Sequence, residues 1–182
     1  METDQNVNLI LGLIYGKYKD GWKLNICQID NYRFNKMTAI DFYKKSKAQY
    51  EKGYIIDAAN NIYLANELLN PNEKIWLYKD KATIEAFFTK IKTEIEEGYE
   101  FPMEVHSSKY KPQILGIVPA VRKEGVVPYV NYKTEIDIND TIALKKEYLE
   151  VAAYLKQKFK GFDSENDIAG YRAFVQFLTE KQ

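Results

Sequence analysis

Residues 38–70, TAIDFYKKSKAQYEKGYIIDAANNIYLANELLN, contain two runs of apolar residues at helical spacing, separated by Gly53. Thr38 followed three residues later by Asp41 is an approximate capping box, which predicts where the first helix begins. Gly53 is typical of the residue that ends a helix in a left-handed conformation. The second run ends before Pro71, since proline disfavours helical backbone in the residue that precedes it. The stretch therefore predicts two antiparallel helices.

A β-hairpin is predicted at residues 8–32, because apolar residues alternate there with other residues on both sides of an Asp-Gly turn. Alternation predicts that one face of the hairpin carries Leu9, Leu11, Leu13 and Tyr15 of the first strand. Along the second strand, the residues that alternate are Trp22, Leu24 and Ile26. The opposite face is expected to carry Ile10, Ile14 and Ile29, together with the small residues Gly12 and Gly16.

The rest of the chain alternates between helical and extended patterns. Helices are predicted at 80–98, with Asp80 as N-cap, and at 140–160; strands are predicted at 99–106, 113–121, 126–136 and 168–179. Prolines in these strands remove ladder donors, so the strands should be short, bulged or at sheet edges. Strands mixed with segregated helices favour the α+β class. The predicted order is an N-terminal β-hairpin, an antiparallel helical hairpin, then a helix with a mostly antiparallel sheet and a long C-terminal helix.

Two units are suggested by the turn-rich stretch at 70–80: residues 1–71, with the β-hairpin and the helical hairpin, and residues 72–182, an α+β unit. One continuous core is the alternative. The core is expected to contain large residues on the predicted inward faces, namely Trp22, Phe87, Phe88, Leu155 and Phe159.

Composition excludes several classes of protein. The 182 residues carry 26 basic and 26 acidic side chains, and only three of the basic ones are arginines, so nucleic acid is not an expected partner. One cysteine and one histidine leave neither an intramolecular disulfide nor a soft-metal cluster. The longest apolar stretch, residues 7–15, is far shorter than the roughly 20 residues of a membrane-spanning helix. We therefore expect a soluble protein that needs no metal or cofactor.

No set of catalytic residues is predicted. His106 has Ser107 and Ser108 beside it, but adjacent residues rarely have the geometry of a nucleophile and its base. Cys27 is isolated in a predicted strand, where a free cysteine is usually a small apolar residue. The acidic stretch 163–167 has Ile168 where a calcium loop needs glycine. Enzymatic activity is thus not favoured.

The helical hairpin at 38–71, about 34 of the 182 residues, resembles a single tetratricopeptide unit. The residues that carry this resemblance are Ser46, Ala48, Gly53, Ala58, Ile62 and Ala65. The sequence has no second copy, so the resemblance implies two helices packed in that manner and not the peptide-binding groove of the family.

The order of elements is similar to that of uncharacterised envelope-associated proteins of Bacteroidota. The segments that carry the similarity are Tyr15-Gly16-Lys17-Tyr18, Trp22-Lys23-Leu24-Asn25 and Phe159-Lys160-Gly161-Phe162-Asp163. The N-terminal hairpin also resembles the end of a cystatin-like curved sheet. These resemblances imply a bacterial protein, with an envelope or periplasmic location if the chain derives from a longer protein that carries a signal.

Three hypotheses about function follow. The first is a non-enzymatic binding or protein-interaction module whose surface is the hairpin face with Ile10, Ile14 and Ile29, with a homodimer as one outcome. The second is a cystatin-like domain that binds or converts a small molecule in a pocket of its curved sheet, with Tyr129, Tyr132, Arg172 and Glu135 as ligand-binding residues. The third is a structural segment of a larger envelope protein.

Overall fold

The computed structural model describes residues 7–69, 78–122, 125–162 and 170–175. It confirms the α+β class, with the helices and strands in the predicted order. Their bounds are β1 (Val7–Tyr18), β2 (Gly21–Phe34), α1 (Ala39–Glu51), α2 (Ile55–Glu67), α3 (Lys81–Gly98), β3 (Met103–Glu104), β4 (Gln113–Arg122), β5 (Gly125–Thr134), α4 (Thr141–Lys158) and β6 (Gly170–Val175).

The helical hairpin is formed by α1 and α2. Its start is the predicted capping box: Thr38 N donates to Asp41 Oδ2 at 2.9 Å, and Asp41 N donates to Thr38 Oγ1 at 3.4 Å. Gly53 ends α1 with a φ of +78°. A hydrogen bond joins the two helices: the Ser46 hydroxyl of α1 donates to the backbone carbonyl of Ala58 in α2 at 2.6 Å. Polar contacts thus add to the apolar packing between α1 and α2.

The main sheet has the strand order β3-β4-β5-β6. β4 pairs antiparallel with β3 and β5, whereas β5 and β6 are parallel and α4 lies between them in the chain. A parallel pair needs a crossover connection, and α4 is part of that connection. Of the strand predicted at 168–179, the structure describes residues 170–175; the remainder, like the acidic stretch 163–167, lies outside the described residues.

The strand predicted at 99–106 is wrong in its length. Only Met103 and Glu104 form a strand, paired with Ile114 and Gln113. Pro102 cannot donate a ladder hydrogen bond, and the chain bends into turns soon after the strand, where Lys111 has a φ of +46°. The regular pairing is therefore confined to two residues.

The hydrophobic core is one cluster of buried residues that extends from Ala39 to Phe162 and so includes residues on both sides of position 71. Leu155 and Phe159 are buried, as predicted. Phe87 and Phe88 are half-buried and pack against the cluster. The prediction for Trp22 is wrong, since 68% of its surface is exposed.

Candidate functional site

The two faces of the β1–β2 hairpin are defined by its register. Leu11 lies opposite Ile29, Leu13 opposite Cys27, and Ile14 opposite Ile26. An irregularity then leaves Asn25 without a residue opposite it in the register, and beyond it Tyr15 lies opposite Leu24 and Lys17 opposite Trp22. Because directly opposite residues share a face, this bulge separates Ile26 from Leu24 and Trp22. The alternation in the sequence predicts that Trp22, Leu24 and Ile26 share one face, and this prediction is wrong for Ile26.

One face of this hairpin is apolar and exposed. Its large side chains are between 42% and 68% exposed, and they share a single face by register: Leu9, Leu11, Leu13, Tyr15, Trp22, Leu24 and Ile29. We call these seven residues the apolar face. Cys27 is a free, exposed cysteine in the middle of it, and Lys17 and Asn31 lie at its two ends. Within the described residues, β1 and β2 pair only with each other, so both strands have an open edge.

The surface predicted from Ile10, Ile14 and Ile29 does not exist as one face. Ile29 lies opposite Leu11 and belongs to the apolar face, whereas Ile10 and Ile14 are on the other side and half-buried. The sequence alone could not assign Ile29 to a face, because its face depends on which residue of β1 lies opposite it. One feature of the sequence does indicate that the face with Ile10 and Ile14 is the covered one. Gly12 lies on that face, and glycine allows other groups to approach the strand closely.

Trp22 is exposed because it lies beside the turn at Lys19 and Asp20, at the far end of the hairpin. The opposite end of the hairpin joins the body of the protein, where Phe34 and Met37 pack against the hydrophobic core. The apolar residues nearest the turn are thus the ones farthest along the strands from that core.

A second candidate site is a groove of about 630 Å³ between α2, α3 and β4. Its walls are mostly apolar and include Ile62, Phe88, Ile91, Ile95 and Ile117. Volumes of 300–1,000 Å³ with largely apolar walls are typical of small-molecule sites. Lys92 and Glu96 also line the groove, and their side chains are 3.7 Å apart, so their charges compensate each other.

Asn60 and Tyr63 of α2 line this groove. Asn60 is 4% exposed, and its Nδ2 is fully buried and has no hydrogen-bond partner. The Nδ2 of the adjacent Asn61 donates to Gln49 Oε1 at 2.8 Å and to the Asp57 carbonyl at 2.9 Å, whereas its Oδ1 has no hydrogen-bond partner. A buried donor without an acceptor costs free energy, and most buried polar groups in proteins avoid it.

The four predicted ligand-binding residues do not form one pocket. Tyr132 is buried on the core side of β5, whereas Tyr129, three residues earlier, is on the other face beside Asn131. Glu135 is exposed beyond the end of the strand. Arg172 lies in β6 opposite Asn131 in register, and its side chain lies outside the described part of the structure. An odd spacing along a strand puts residues on opposite faces, which separates the two tyrosines.

Glu147 of α4 is a buried carboxyl group close to Tyr132. It is 1% exposed, and neither of its oxygens makes a hydrogen bond of ordinary length. Burial raises the pKa of Glu147, although the nearby Thr134 hydroxyl lowers it in part. Burial and the charge of Glu147 also raise the pKa of Tyr132 to about 12. The environment therefore favours the protonated form of the carboxyl group.

Cys27 and His106 have no catalytic surroundings among the described residues. His106 is exposed, and its Nδ1 lies 2.9 Å from Glu104 Oε1. Cys27 is opposite Leu13 in the hairpin. Among the described residues, no group of three or more histidine, cysteine, aspartate or glutamate side chains could hold a metal ion. None of the helices in the described ranges is both long and apolar enough to cross a membrane.

No family model matches the chain, and no similar curated protein or solved structure was found.

Proposed function

We propose that this protein is a protein-interaction module, that the apolar face of the β1–β2 hairpin is its binding surface, and that a second copy of the chain is its partner. The single observation that carries the proposal is the exposure of seven large apolar side chains on one face of a two-stranded sheet. Exposure of this apolar surface to water costs free energy, and association removes the surface from water.

The size of the apolar face supports the proposal. Large apolar and aromatic side chains have roughly 150–250 Å² of surface each, so seven that are about half exposed present roughly 700 Å². Patches above a few hundred Å² usually mark interaction sites. A standard interface buries about 800 Å² on each partner, which is close to the area that this face offers.

A second copy is favoured over a charged partner because the face itself is almost uncharged. Lys17, at the end next to the turn, is the only charged side chain among the residues assigned to it, and the net charge of the chain is zero. A two-fold axis through the centre of the face would therefore oppose apolar residues to apolar residues with little repulsion between copies. Sheets packed face to face lie about 10 Å apart, with their side chains interdigitating.

The test is sedimentation velocity over a range of concentrations. The wild-type chain of 21.3 kDa should change from monomer to dimer as its concentration rises. Leu11→Lys with Leu13→Lys should keep the protein monomeric, because two lysines at the centre of the face would be buried in the dimer without partners. Far-ultraviolet circular dichroism should show that this double variant stays folded.

Two controls make the result specific. Ile142 of α4 is 83% exposed and lies outside the hairpin, so Ile142→Lys should dimerise like the wild type. Ile10→Lys with Ile14→Lys changes the half-buried face. If only this second pair abolished association, the interface would lie on the other face of the hairpin. A wild type that is monomeric at all concentrations, or that binds a different protein through the apolar face, would contradict the homodimer.

A further inference from the structure

We propose that the open edge of β4 binds an extended peptide segment of a partner protein, which pairs with β4 as an antiparallel strand and places uncharged apolar side chains in the groove between α2, α3 and β4. The kind of partner is identified by backbone hydrogen-bonding groups of β4 that face this groove. The proposal does not depend on the hairpin, because no residue of β1 or β2 lines the groove.

The first argument is that β3 covers β4 over only part of its length. β3 pairs with Gln113 and Ile114, whereas β4 continues from there to Arg122. No described strand or isolated bridge pairs with residues 116–122 on this side of β4, and the other side is paired with β5. A segment placed along this edge would continue the line of β3, which is antiparallel to β4.

The second argument is the register with β5, which shows which backbone groups point toward the open edge. Pro119 lies directly opposite Pro128, and neither has an N–H to exchange, so the two form a non-hydrogen-bonded pair. Ile117 lies opposite Val130, two positions along, and is also non-hydrogen-bonded because the two kinds of pair alternate. The N–H and C=O of Ile117 and the C=O of Pro119 therefore point away from β5, toward the open edge.

The third argument is that the groove extends to this edge. Ile117, Val118 and Pro119 all line it, although successive residues of a strand face opposite sides of the sheet. Val118 lies opposite Tyr129 and also lines a cavity with it on the outer face, away from α2 and α3. A residue that faces outward can line the groove only if the groove reaches the edge of the strand. The backbone of β4 is therefore open to the groove at these positions.

The opposite wall of the groove fits apolar side chains. Phe88, Ile91 and Ile95 of α3 line it, and the volume of the groove is about 630 Å³. The Lys92 ammonium lies 3.7 Å from the Glu96 carboxylate, so the charges at the groove compensate each other and do not favour a charged side chain. Since alternate residues of a strand face the same side, a segment with an apolar residue at every second position would place these residues against α3.

Pro119 restricts what can pair with this edge. Its nitrogen carries no hydrogen, so the edge offers the Ile117 N–H as a donor and the carbonyls of both residues as acceptors. Prolines on edge strands limit indiscriminate strand addition. Main-chain pairing alone would therefore be weak, and the side chains in the groove would supply the rest of the affinity and the preference for apolar residues.

The probe for the test is a fluorescein-labelled peptide of the sequence Lys-Ser-Val-Ser-Val-Ser-Val-Ser-Lys, and fluorescence anisotropy should show saturable binding to the wild type. Directly opposite residues of an antiparallel pair share a face, so a valine that faces α3 lies opposite Ile117 and its N–H points at β4. N-methylation of the valines should weaken binding by roughly tenfold or more, because it removes the donors to the Ile117 and Pro119 carbonyls. The matched control is N-methylation of the serines, whose N–H groups point away from β4, and it should leave the affinity within roughly twofold.

Variants of the protein test the same geometry. Ile95→Lys places a charge in the groove and should abolish binding, whereas Ile142→Lys, on α4 and outside the groove, should bind normally. Pro119→Ala restores an N–H at the open edge and should tighten binding several-fold, which contact with apolar walls alone would not produce. Far-ultraviolet circular dichroism checks that each variant is folded. If a variant did not fold, the comparison of the two methylated peptides on the wild type would still decide the question.

Four outcomes would overturn the proposal. The first is the absence of saturable binding by the wild type. The second is an equal effect of the two methylation patterns, which would mean that the peptide makes no directed hydrogen bonds with β4. The third is a larger loss with the methylated serines, which would indicate a parallel strand. The fourth is binding that survives Ile95→Lys and is lost in Leu11→Lys with Leu13→Lys, which would move the peptide to the hairpin.

Discussion

Leu11 and Ile29 lie directly opposite each other in the β1–β2 hairpin, and they are 56% and 63% exposed. Cross-strand apolar pairs of this kind normally face a core, where their contact contributes to sheet stability. Here both side chains are exposed, and the next pair on the same face toward the turn is Leu13 with Cys27. The only cysteine of the chain is therefore a reporter at the centre of the apolar face.

The reactivity of Cys27 should depend on protein concentration. Face-to-face packing would cover the thiol, so alkylation by a maleimide should be fast in dilute protein and several-fold slower where the dimer predominates. A short bis-maleimide that spans roughly 10 Å should join two copies through Cys27, since packed sheets lie about that far apart. Leu11→Lys with Leu13→Lys should lose both effects. A dimer whose Cys27 reacts at full rate would use a different surface.

Replacing Glu147 by Gln should stabilise the protein near neutral pH. Burial raises the pKa of Glu147 above its ordinary value of 4.5, so the folded state holds this proton more tightly than the unfolded state. The contribution of the protonated carboxyl group is fully present below the unfolded pKa and is lost as the pH rises through the folded pKa. Glutamine resembles the protonated form and does not titrate.

The measurement is the thermal midpoint from pH 4 to pH 8 for the wild type, Glu147→Gln and Glu97→Gln, the last an exposed residue of α3. The advantage of Glu147→Gln over the wild type should be small at pH 4 and grow as the pH rises. The Glu97→Gln control should follow the wild type. An advantage that is constant with pH would show that Glu147 is not the group that titrates.

Phe159→Ala and Trp22→Ala should differ strongly in their effect on monomer stability. Phe159 is 1% exposed, and its ring lies 4.8 Å from that of Tyr99, so truncation should cost roughly 3–5 kcal/mol. Trp22 is 68% exposed, so its truncation should cost less than about 1 kcal/mol in protein dilute enough to be monomeric. Urea unfolding checks both values. A large loss for Trp22→Ala under those conditions would mean that this side chain is packed within the monomer.

Two glycine-to-alanine substitutions should change the thermal stability of the protein in opposite directions. Gly161 has a φ of +73°, and an added Cβ would meet the Tyr54 ring, so Gly161→Ala should lower the thermal midpoint. Gly98 ends α3 with open space around it, so Gly98→Ala should raise stability by up to roughly 1 kcal/mol through better helix propensity. Calorimetry of both variants tests this. Equal shifts for the two would contradict the left-handed conformation and close contact at Gly161.

The local elements were predictable where short-range chemistry decides them. The capping box of Thr38 and Asp41, and the left-handed Gly53, could be predicted because the bonds and dihedral angles involved span only a few residues. The strand predicted at 99–106 failed because its length depended on its partner: only two of its residues pair with β4.

The candidate sites depended on long-range structure. Asn60 lines the groove that α2 forms with α3 and β4, whereas the amide of Asn61, its neighbour in sequence, donates to Gln49 Oε1. The two residues are identical in type and differ only in which elements pack near them. No local pattern distinguishes them.

The sequence by itself determined the α+β class, the order of the elements and the helix ends, because propensity and capping act within a few residues. Its composition of three arginines and one cysteine also disfavours an arginine-rich binding surface and a disulfide framework. Only the tertiary structure decided which side of the hairpin is covered. Both faces of β1 are apolar, so alternation alone does not show which of them is buried. The bulge at Asn25 also places Leu24 and Trp22 on the opposite face from Ile26. Burial is a property of what packs on a face, and that depends on residues far away in the chain.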